Sequence, residues 1–316
     1  MTFTDARTVG FAGLGVMGSA MSGHLLRAGT PVLGFDPDPV RMNEHVARGG
    51  LAADWLAELG ALDVVVTSLP SAEALAAVLD DQDGIVAGFT QRARPDRRRP
   101  IVIETSTLAL ETKTDAARRL AAVGAVLLDC PMSGTGQQAR DGDLVAYLSG
   151  DDQPAKGEAV EVLRRVTRAQ YDLGAFGNGT KAKVVANLLV TIHNVAAAEA
   201  LLLARRAGLD LDEVLVAVGD GAGGSRMLQV RGPLMVSGNF DDATMRIKTF
   251  AKDIDIIADF ARMVGSPTPI FDASALIYDE AARHGRGEQD TASVFGVLEG
   301  RDRSDHADGR EDHAAP

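Results

Sequence analysis

Residues 9–18 read Val9-Gly10-Phe11-Ala12-Gly13-Leu14-Gly15-Val16-Met17-Gly18, and the chain continues as Ser19-Ala20-Met21-Ser22-Gly23-His24-Leu25-Leu26-Arg27. A short apolar run, then G-x-G-x-x-G, then an amphipathic stretch predicts a strand, a tight turn and a helix. Gly13 allows the turn, Gly15 lets backbone N–H groups approach a pyrophosphate, and Gly18 permits close packing of helix on strand. The N-terminus of such a helix points its positive end at phosphate charge. Gly13, Leu14, Gly15, Val16, Met17 and Gly18 are therefore candidate cofactor contacts. The next apolar run, residues 31–35, ends at Asp36, eighteen residues beyond Gly18. A carboxylate placed there accepts hydrogen bonds from an adenosine ribose and repels a 2′-phosphate. Asp38 adds to the repulsion and Arg41 offsets part of it, so NAD is favoured over NADP.

Outward from this loop, short apolar runs alternate with amphipathic stretches as far as residue 174, the pattern of βαβ units around a parallel sheet. Strands are expected at residues 9–12, 31–35, 63–67, 101–104, 125–129, 144–149 and 170–173, with helices near 17–28, 73–79, 111–123 and 155–166. After Gly179 the strand-like runs stop, and helices are expected near 181–207, 211–218, 225–236, 247–264 and 268–284. The reading is an α/β domain over 1–174, an all-helical domain over 175–298 joined to it by a long helix, and a charged, disordered tail over 299–316. Five arginines within residues 92–99 read as a solvated loop insertion.

Composition narrows the function. The chain has 316 residues, 46% of them hydrophobic and 24% charged, enough to build buried cores. A net charge of −12 and only 4% aromatic residues disfavour nucleic acid and leave a small molecule as the expected partner. The single cysteine, Cys130, excludes an intrachain disulfide framework, and a cytoplasmic, reducing location is expected. No His/Glu pattern with metal-ligand spacing is found, so catalysis without a metal is expected. The longest apolar stretch, residues 184–204, is interrupted by Asn187, His193, Asn194 and Glu199 and reads as a buried helix. Asp5, ahead of the first apolar run, argues against a signal peptide.

In open α/β sheets ligands bind beyond the carboxyl ends of the strands. Three more of those ends carry suitable groups: Thr67-Ser68-Leu69-Pro70, Glu104-Thr105-Ser106-Thr107, and Asp129-Cys130-Pro131-Met132-Ser133-Gly134-Thr135-Gly136. Together with the opening fingerprint GFAGLGVMGSAMSGHLLRAG, this set resembles the β-hydroxyacid dehydrogenase family, which includes 3-hydroxyisobutyrate dehydrogenase and tartronate semialdehyde reductase. The likeness runs collinearly over about residues 9–285. The family's Asp-x-Pro-Val-Ser-Gly-Gly loop matches residues 129–135, with Met132 for Val and Thr135 for the last Gly. Its Gly-x-Gly-x-x-x-Lys-x-x-Asn-Asn helix matches Gly177 through Asn187, with Ala186 for the first Asn. A later Phe-x-Lys-Asp matches Phe250 through Asp253.

The resemblance implies a Rossmann-type cofactor domain and names roles. Lys183 becomes the catalytic lysine, and Asn187 the partner that orients substrate. Ser133 and Gly134, with Thr135 beside them, become substrate-carboxylate contacts. Leu69, Pro70, Ser106, Thr107 and Lys252 become cofactor contacts. Thr135, Gln138, Ala74 and Ala186 depart from the family pattern and bear on the substrate rather than the reaction class.

Lys183 and Asn187 are four apart, so on a helix they share a face. A helix N-terminus, burial and an oxidised nicotinamide all favour a lysine that gives up its proton. His193 and His24 have no carboxylate at a telling spacing and read as packing residues, as does Asn194. The expected activity is NAD-dependent oxidation of a short 3-hydroxy carboxylic acid, of the 3-hydroxyisobutyrate kind, to its semialdehyde or keto acid. The alternatives are a semialdehyde reductase of the tartronate or succinic type, an imine reductase, or a non-catalytic dinucleotide sensor. The long apolar helix, and the assemblies of the enzymes it resembles, imply a homodimer or homotetramer.

Overall fold

Strands covered on both faces need unbroken apolar runs, and VGFA, VVVT, IVIE and VLLD are each buried at every residue. In a computed structural model these runs lie side by side. It describes residues 7–80, 82–91 and 99–305, which leaves most of the arginine-rich loop (92–98) and the end of the expected tail (306–316) outside the described residues. The chain divides into two units, Met1–Lys183 and Val184–Pro316.

The first unit holds β1 (Val9–Ala12), β2 (Val32–Phe35), β3 (Leu51–Ala52), β4 (Val64–Thr67), β5 (Ile101–Glu104) and β6 (Val126–Asp129). They form a six-stranded sheet in the order β3-β2-β1-β4-β5-β6, and every pairing is parallel. The connecting helices are α1 (Val16–Arg27), α2 (Pro39–Ala47), α3 (Leu56–Leu59), α4 (Ala72–Val78), α5 (Ile85–Gln91) and α6 (Leu110–Ala122). One core, around Phe11, Met21, Leu25, Ile103 and Leu128, covers one face of the sheet. A second, around Val65, Leu75, Ile85, Val102 and Leu120, covers the other. The chain leaves β1 toward β2 and β3, then returns to β4 on β1's other side. That reversal opens a crevice beyond the ends of β1 and β4, the usual ligand site of such sheets.

The expectation of one parallel sheet needs correcting. Five of the seven expected strands join it, but the last two do not. Those two, β8 (Val145–Leu148) and β9 (Ala169–Asp172), form a separate three-stranded sheet with β7 (Met132–Ser133), antiparallel between β7 and β8 and parallel between β8 and β9. The reason is in the burial. β8 alternates between half-buried and buried residues and β9 is largely open, unlike the fully covered strands of the parallel sheet. An Asp129–Ser149 bridge joins the two sheets. Helices α7 (Gly136–Arg140) and α8 (Gln153–Leu163) complete this part.

Helix α9 (Asn178–Arg206) crosses the division between the units, which falls a few residues later than the expected boundary at 173–179. The second unit continues with α10 (Leu211–Asp220), α11 (Arg226–Ser237), α12 (Ile247–Val264), α13 (Pro269–Arg283) and, after a 3₁₀ turn at Thr291–Ser293, α14 (Val294–Asp305). Residues 299–305, expected in the tail, are helical instead. Val294, Phe295, Val297 and Leu298 anchor α14 in the helical core, and Arg205 meets Glu299 at 2.7 Å. Among the described residues α9 is the one helix long and apolar enough to cross a membrane by length and composition. Its apolar side chains Val184, Val195, Ala198, Leu201 and Leu202 are instead buried in the core of the helical unit.

Candidate active site

The glycine loop between β1 and α1 has the form a pyrophosphate needs. Gly13 sits at φ +90°, and a Cβ there would lie 2.3 Å from the Ser68 carbonyl oxygen. A Cβ on Gly18 would lie 1.9 Å from the Gly13 oxygen, so helix and loop touch backbone to backbone. Gly15 is different: a Cβ would meet only Arg41 Nη1, at 3.9 Å. It opens on a groove of about 620 Å³ that runs along α1 past Ser19 to Arg27 and is also lined by Arg41 and Arg140. Helix α1 has no side-chain cap. The loop thus offers open backbone, a helix N-terminus and nearby guanidinium groups, and it fits a dinucleotide phosphate.

Asp36 closes the loop from the end of β2. It is 6% exposed, and its Oδ2 accepts the Leu14 N–H at 2.7 Å. Its Oδ1 accepts the Asp38 N–H at 3.0 Å, and Arg41 Nη1 stands 3.4 Å from both oxygens. The cap of α2 is Asp38, which accepts the Val40 N–H, so Asp36 is not merely a helix cap.

The next two strand ends are laced together. The Leu69 N–H donates to Ser106 Oγ at 2.8 Å, the Ser106 N–H donates to Glu104 Oε1 at 2.9 Å, and Thr105 Oγ1 donates to the Thr67 carbonyl at 2.6 Å. These bonds fix the turns that carry the expected contacts Leu69, Pro70, Ser106 and Thr107. On the following loop Thr135 has a structural task that its place in the motif did not reveal. Its hydroxyl accepts the Gln138 N–H and its own N–H donates to Gln138 Oε1, a capping box that starts α7. Ser133 and Gly134 stand just ahead of that box. Cys130 is fully buried, and burial pushes its thiol up, so it is no nucleophile.

Lys183 and Asn187 lie one turn apart on α9, 9% and 4% exposed. Asn187 Nδ2 donates to Asp253 Oδ2 at 3.0 Å, which fixes the amide's orientation. Sequence reasoning quoted Asp253 only as the neighbour of Lys252, and the pairing spans 66 positions. Lys252 lies beside it on α12. Asn194 is packing, as expected: its Nδ2 donates to Tyr278 Oη at 2.8 Å and to the Thr291 carbonyl at 2.9 Å. His24 is also structural, with Nε2 2.9 Å from the Ala139 carbonyl oxygen.

Residues 8–177 match the family model of the NAD binding domain of 6-phosphogluconate dehydrogenase. Residues 177–298 match that of the NAD-binding of NADP-dependent 3-hydroxyisobutyrate dehydrogenase. The chain belongs to the β-hydroxyacid dehydrogenase family. As a member of that family it is an NAD(P)-dependent oxidoreductase acting on CH–OH groups. It is similar to the L-threonate dehydrogenase of Cupriavidus necator, at 32% identity over 93% of this chain and 97% of the relative. It is also similar to the chloroplastic glyoxylate/succinic semialdehyde reductase 2 of Arabidopsis thaliana, at 26% identity over 92% of this chain and 79% of the relative. Among solved structures of the β-hydroxyacid dehydrogenase type, a 3-hydroxyisobutyrate dehydrogenase from Salmonella typhimurium superposes with a TM-score of 0.80. It is 30% identical, over 92% of this chain and 99% of that one.

Proposed function

We propose that the protein oxidises a short 3-hydroxy carboxylic acid, with NAD as hydride acceptor and Lys183 as general base. The observation that carries this is the buried pair Lys183 and Asn187, one turn apart on α9, with Asn187 held by Asp253. A sensor that only binds a dinucleotide needs no such pair. Held along the residue 13–18 loop and Asp36, a bound dinucleotide would supply the acceptor for the hydride that leaves the carbinol carbon. The hydroxyl proton goes to the Lys183 amine, and the C–O bond becomes a carbonyl. Asn187 orients the reacting oxygen. Ser133 and the Gly134 N–H hold the substrate carboxylate; Thr135, engaged in its capping box, supports that loop. Lys252 is assigned to the cofactor by its place in the motif. In the reverse direction Lys183 is the acid that protonates a semialdehyde oxygen, and the likeness to a semialdehyde reductase supports testing that direction too.

NAD is preferred to NADP in this reading because Asp36 is fixed at the end of β2 with Asp38 beside it, and Arg41 is engaged by both. A 2′-phosphate would meet two carboxylates there. The test is steady-state kinetics with purified protein, NAD and NADP, against 3-hydroxyisobutyrate, L-threonate, other short hydroxy acids and their semialdehydes. Turnover of at least one 3-hydroxy acid with a higher kcat/KM for NAD is expected. NAD binding without turnover of any of them would overturn the reading in favour of a sensor.

A further inference from the structure

Lys113 on α6 belongs to no nucleotide or substrate motif, yet it is completely buried. Its Nζ lies 2.7 Å from Glu104 Oε2 and 2.9 Å from Asp129 Oδ1, and all three side chains are sealed from solvent. Glu104 ends β5, and its other oxygen holds the Ser106 N–H, whose hydroxyl in turn holds the Leu69 N–H. Asp129 ends β6 and reaches the start of α9. Its Oδ2 accepts the Thr180 N–H at 2.7 Å and its Oδ1 accepts the Thr180 hydroxyl at 2.8 Å. Ser149 Oγ, which donates to Asp129, accepts the Gly179 N–H at 2.9 Å.

The first N–H groups of a helix have no partners within it. In α9 two of them, on Gly179 and Thr180, are taken by side chains of the sheet region, three to four residues before Lys183. The seat is tight as well: a Cβ on Gly179 would lie 2.3 Å from the Tyr147 carbonyl oxygen. Two carboxylates facing one point in a dry interior repel each other unless a cation sits between them. Burial works to lower the Lys113 pKa, but Glu104 and Asp129 together hold it above the ordinary lysine value. The ammonium therefore stays charged and keeps both carboxylates as acceptors.

We propose that Lys113 is a positioning residue for the reaction: by clamping Glu104 and Asp129 it ties the residue 104–107 turn to the N-terminus of α9 and so sets where Lys183 stands. The inference rests on Lys183 being the acid–base group. A misplacement of about 1 Å can cost on the order of 100-fold in rate, so the clamp acts on kcat before binding.

The test is Lys113→Met, close in length and uncharged, compared with the parent by circular dichroism, NAD titration and steady-state kinetics. The expected result is a folded protein whose kcat falls roughly 10- to 100-fold, with NAD affinity and substrate KM changed by no more than about threefold. Adding Glu104→Gln removes one of the opposed charges, keeps an acceptor for the Ser106 N–H and offers Asp129 an amide N–H in place of the ammonium, so the double variant restores the tie and should recover most of kcat. A folded Lys113→Met with parental kcat overturns the proposal. So does a loss of kcat and NAD affinity together that Glu104→Gln does not relieve, which marks an ordinary core residue. Should Lys113→Met fail to fold, Thr180→Val removes only the hydroxyl bond to Asp129 and should show the same drop in kcat at constant NAD affinity; parental kcat there is equally fatal. Lys183→Met run in parallel separates the two readings. If it is inactive while Lys113→Met turns over normally, only the positioning role fails. If Lys183→Met stays active, the acid–base reading fails and this inference with it.

Discussion

Substitution can separate the proton chemistry at Lys183 from cofactor recognition at Asp36. Lys183→Arg keeps the charge and nearly the reach, but a guanidinium does not deprotonate in the working pH range. Loss of general acid–base catalysis costs about 10²- to 10⁴-fold in rate, so kcat should fall by that much. NAD affinity should hold, because residues 13–18 form a separate element. Measuring kcat and NAD binding on the same preparation checks this, and a kcat within a few-fold of the parent would move the proton carrier elsewhere. Asp36→Ser probes a residue with two tasks, since the carboxylate that would receive the ribose also holds the Leu14 N–H. The substitution should weaken NAD through both and relieve repulsion of a 2′-phosphate. The ratio of kcat/KM for NAD over NADP should therefore drop by roughly 10-fold or more, on the scale of about 1.5–3 kcal/mol for a hydrogen bond to a charged group. An unchanged ratio would clear Asp36 of any part in cofactor choice.

Among the elements, α2 makes a stability prediction through His45, its one buried residue. The ring is wedged where a Cβ on Gly34 or Gly50 would clash with it, and its Nε2 is 3.3 Å from the Val32 carbonyl oxygen. Burial, more than any neighbouring charge, lowers its pKa from the ordinary 6.5. The unfolded chain therefore binds a proton at His45 more readily than the folded one. Stability is full above about pH 6.5 and is lost as pH falls through that value toward the folded pKa. The thermal midpoint should drop between pH 7.5 and 5.5, and less steeply in His45→Gln; parallel slopes would exonerate the residue. The elements also differ in how legible they were. The four fully buried strands and the glycine loop could be read directly, because an unbroken apolar run and a spaced glycine pattern are local signals. Helix α2 was not singled out, although Asp38-Pro39 is a sound N-cap and first-turn pair, because its nine residues are polar on the whole and bury only His45. The Thr135-x-x-Gln138 box was legible in principle but was read as substrate loop. Two-residue strands such as β3 and β7 carry no period to detect. The clamp of Lys113 on Glu104 and Asp129 could not be read at all: LETKTDAARR looks like a solvated helix, and its partners lie on two other strands.

At the scale of the whole molecule the open question is association, and the helical unit supplies the argument. Helix α10 buries none of its residues, and Val216 on it is 75% exposed. Leu203 of α9 is 71% exposed, and Ile270 and Leu276 of α13 are 66% and 61% exposed. Large apolar side chains left open in such number predict that a second copy of the chain covers them. Burying each is worth about 1.5–3 kcal/mol, and in a two-fold symmetric pair every side chain counts twice. Opposing this is the net charge of −12, which makes two copies repel at long range. Salt screens that repulsion over about 8–10 Å while leaving apolar contact intact. Light scattering at micromolar concentration should therefore give a dimer or tetramer whose stability against dilution increases between low and physiological salt. Val216→Asp combined with Leu203→Asp should shift it toward monomer without lowering the helix content, because both side chains already face solvent within one chain. A monomeric parent at every salt concentration would overturn this expectation of association.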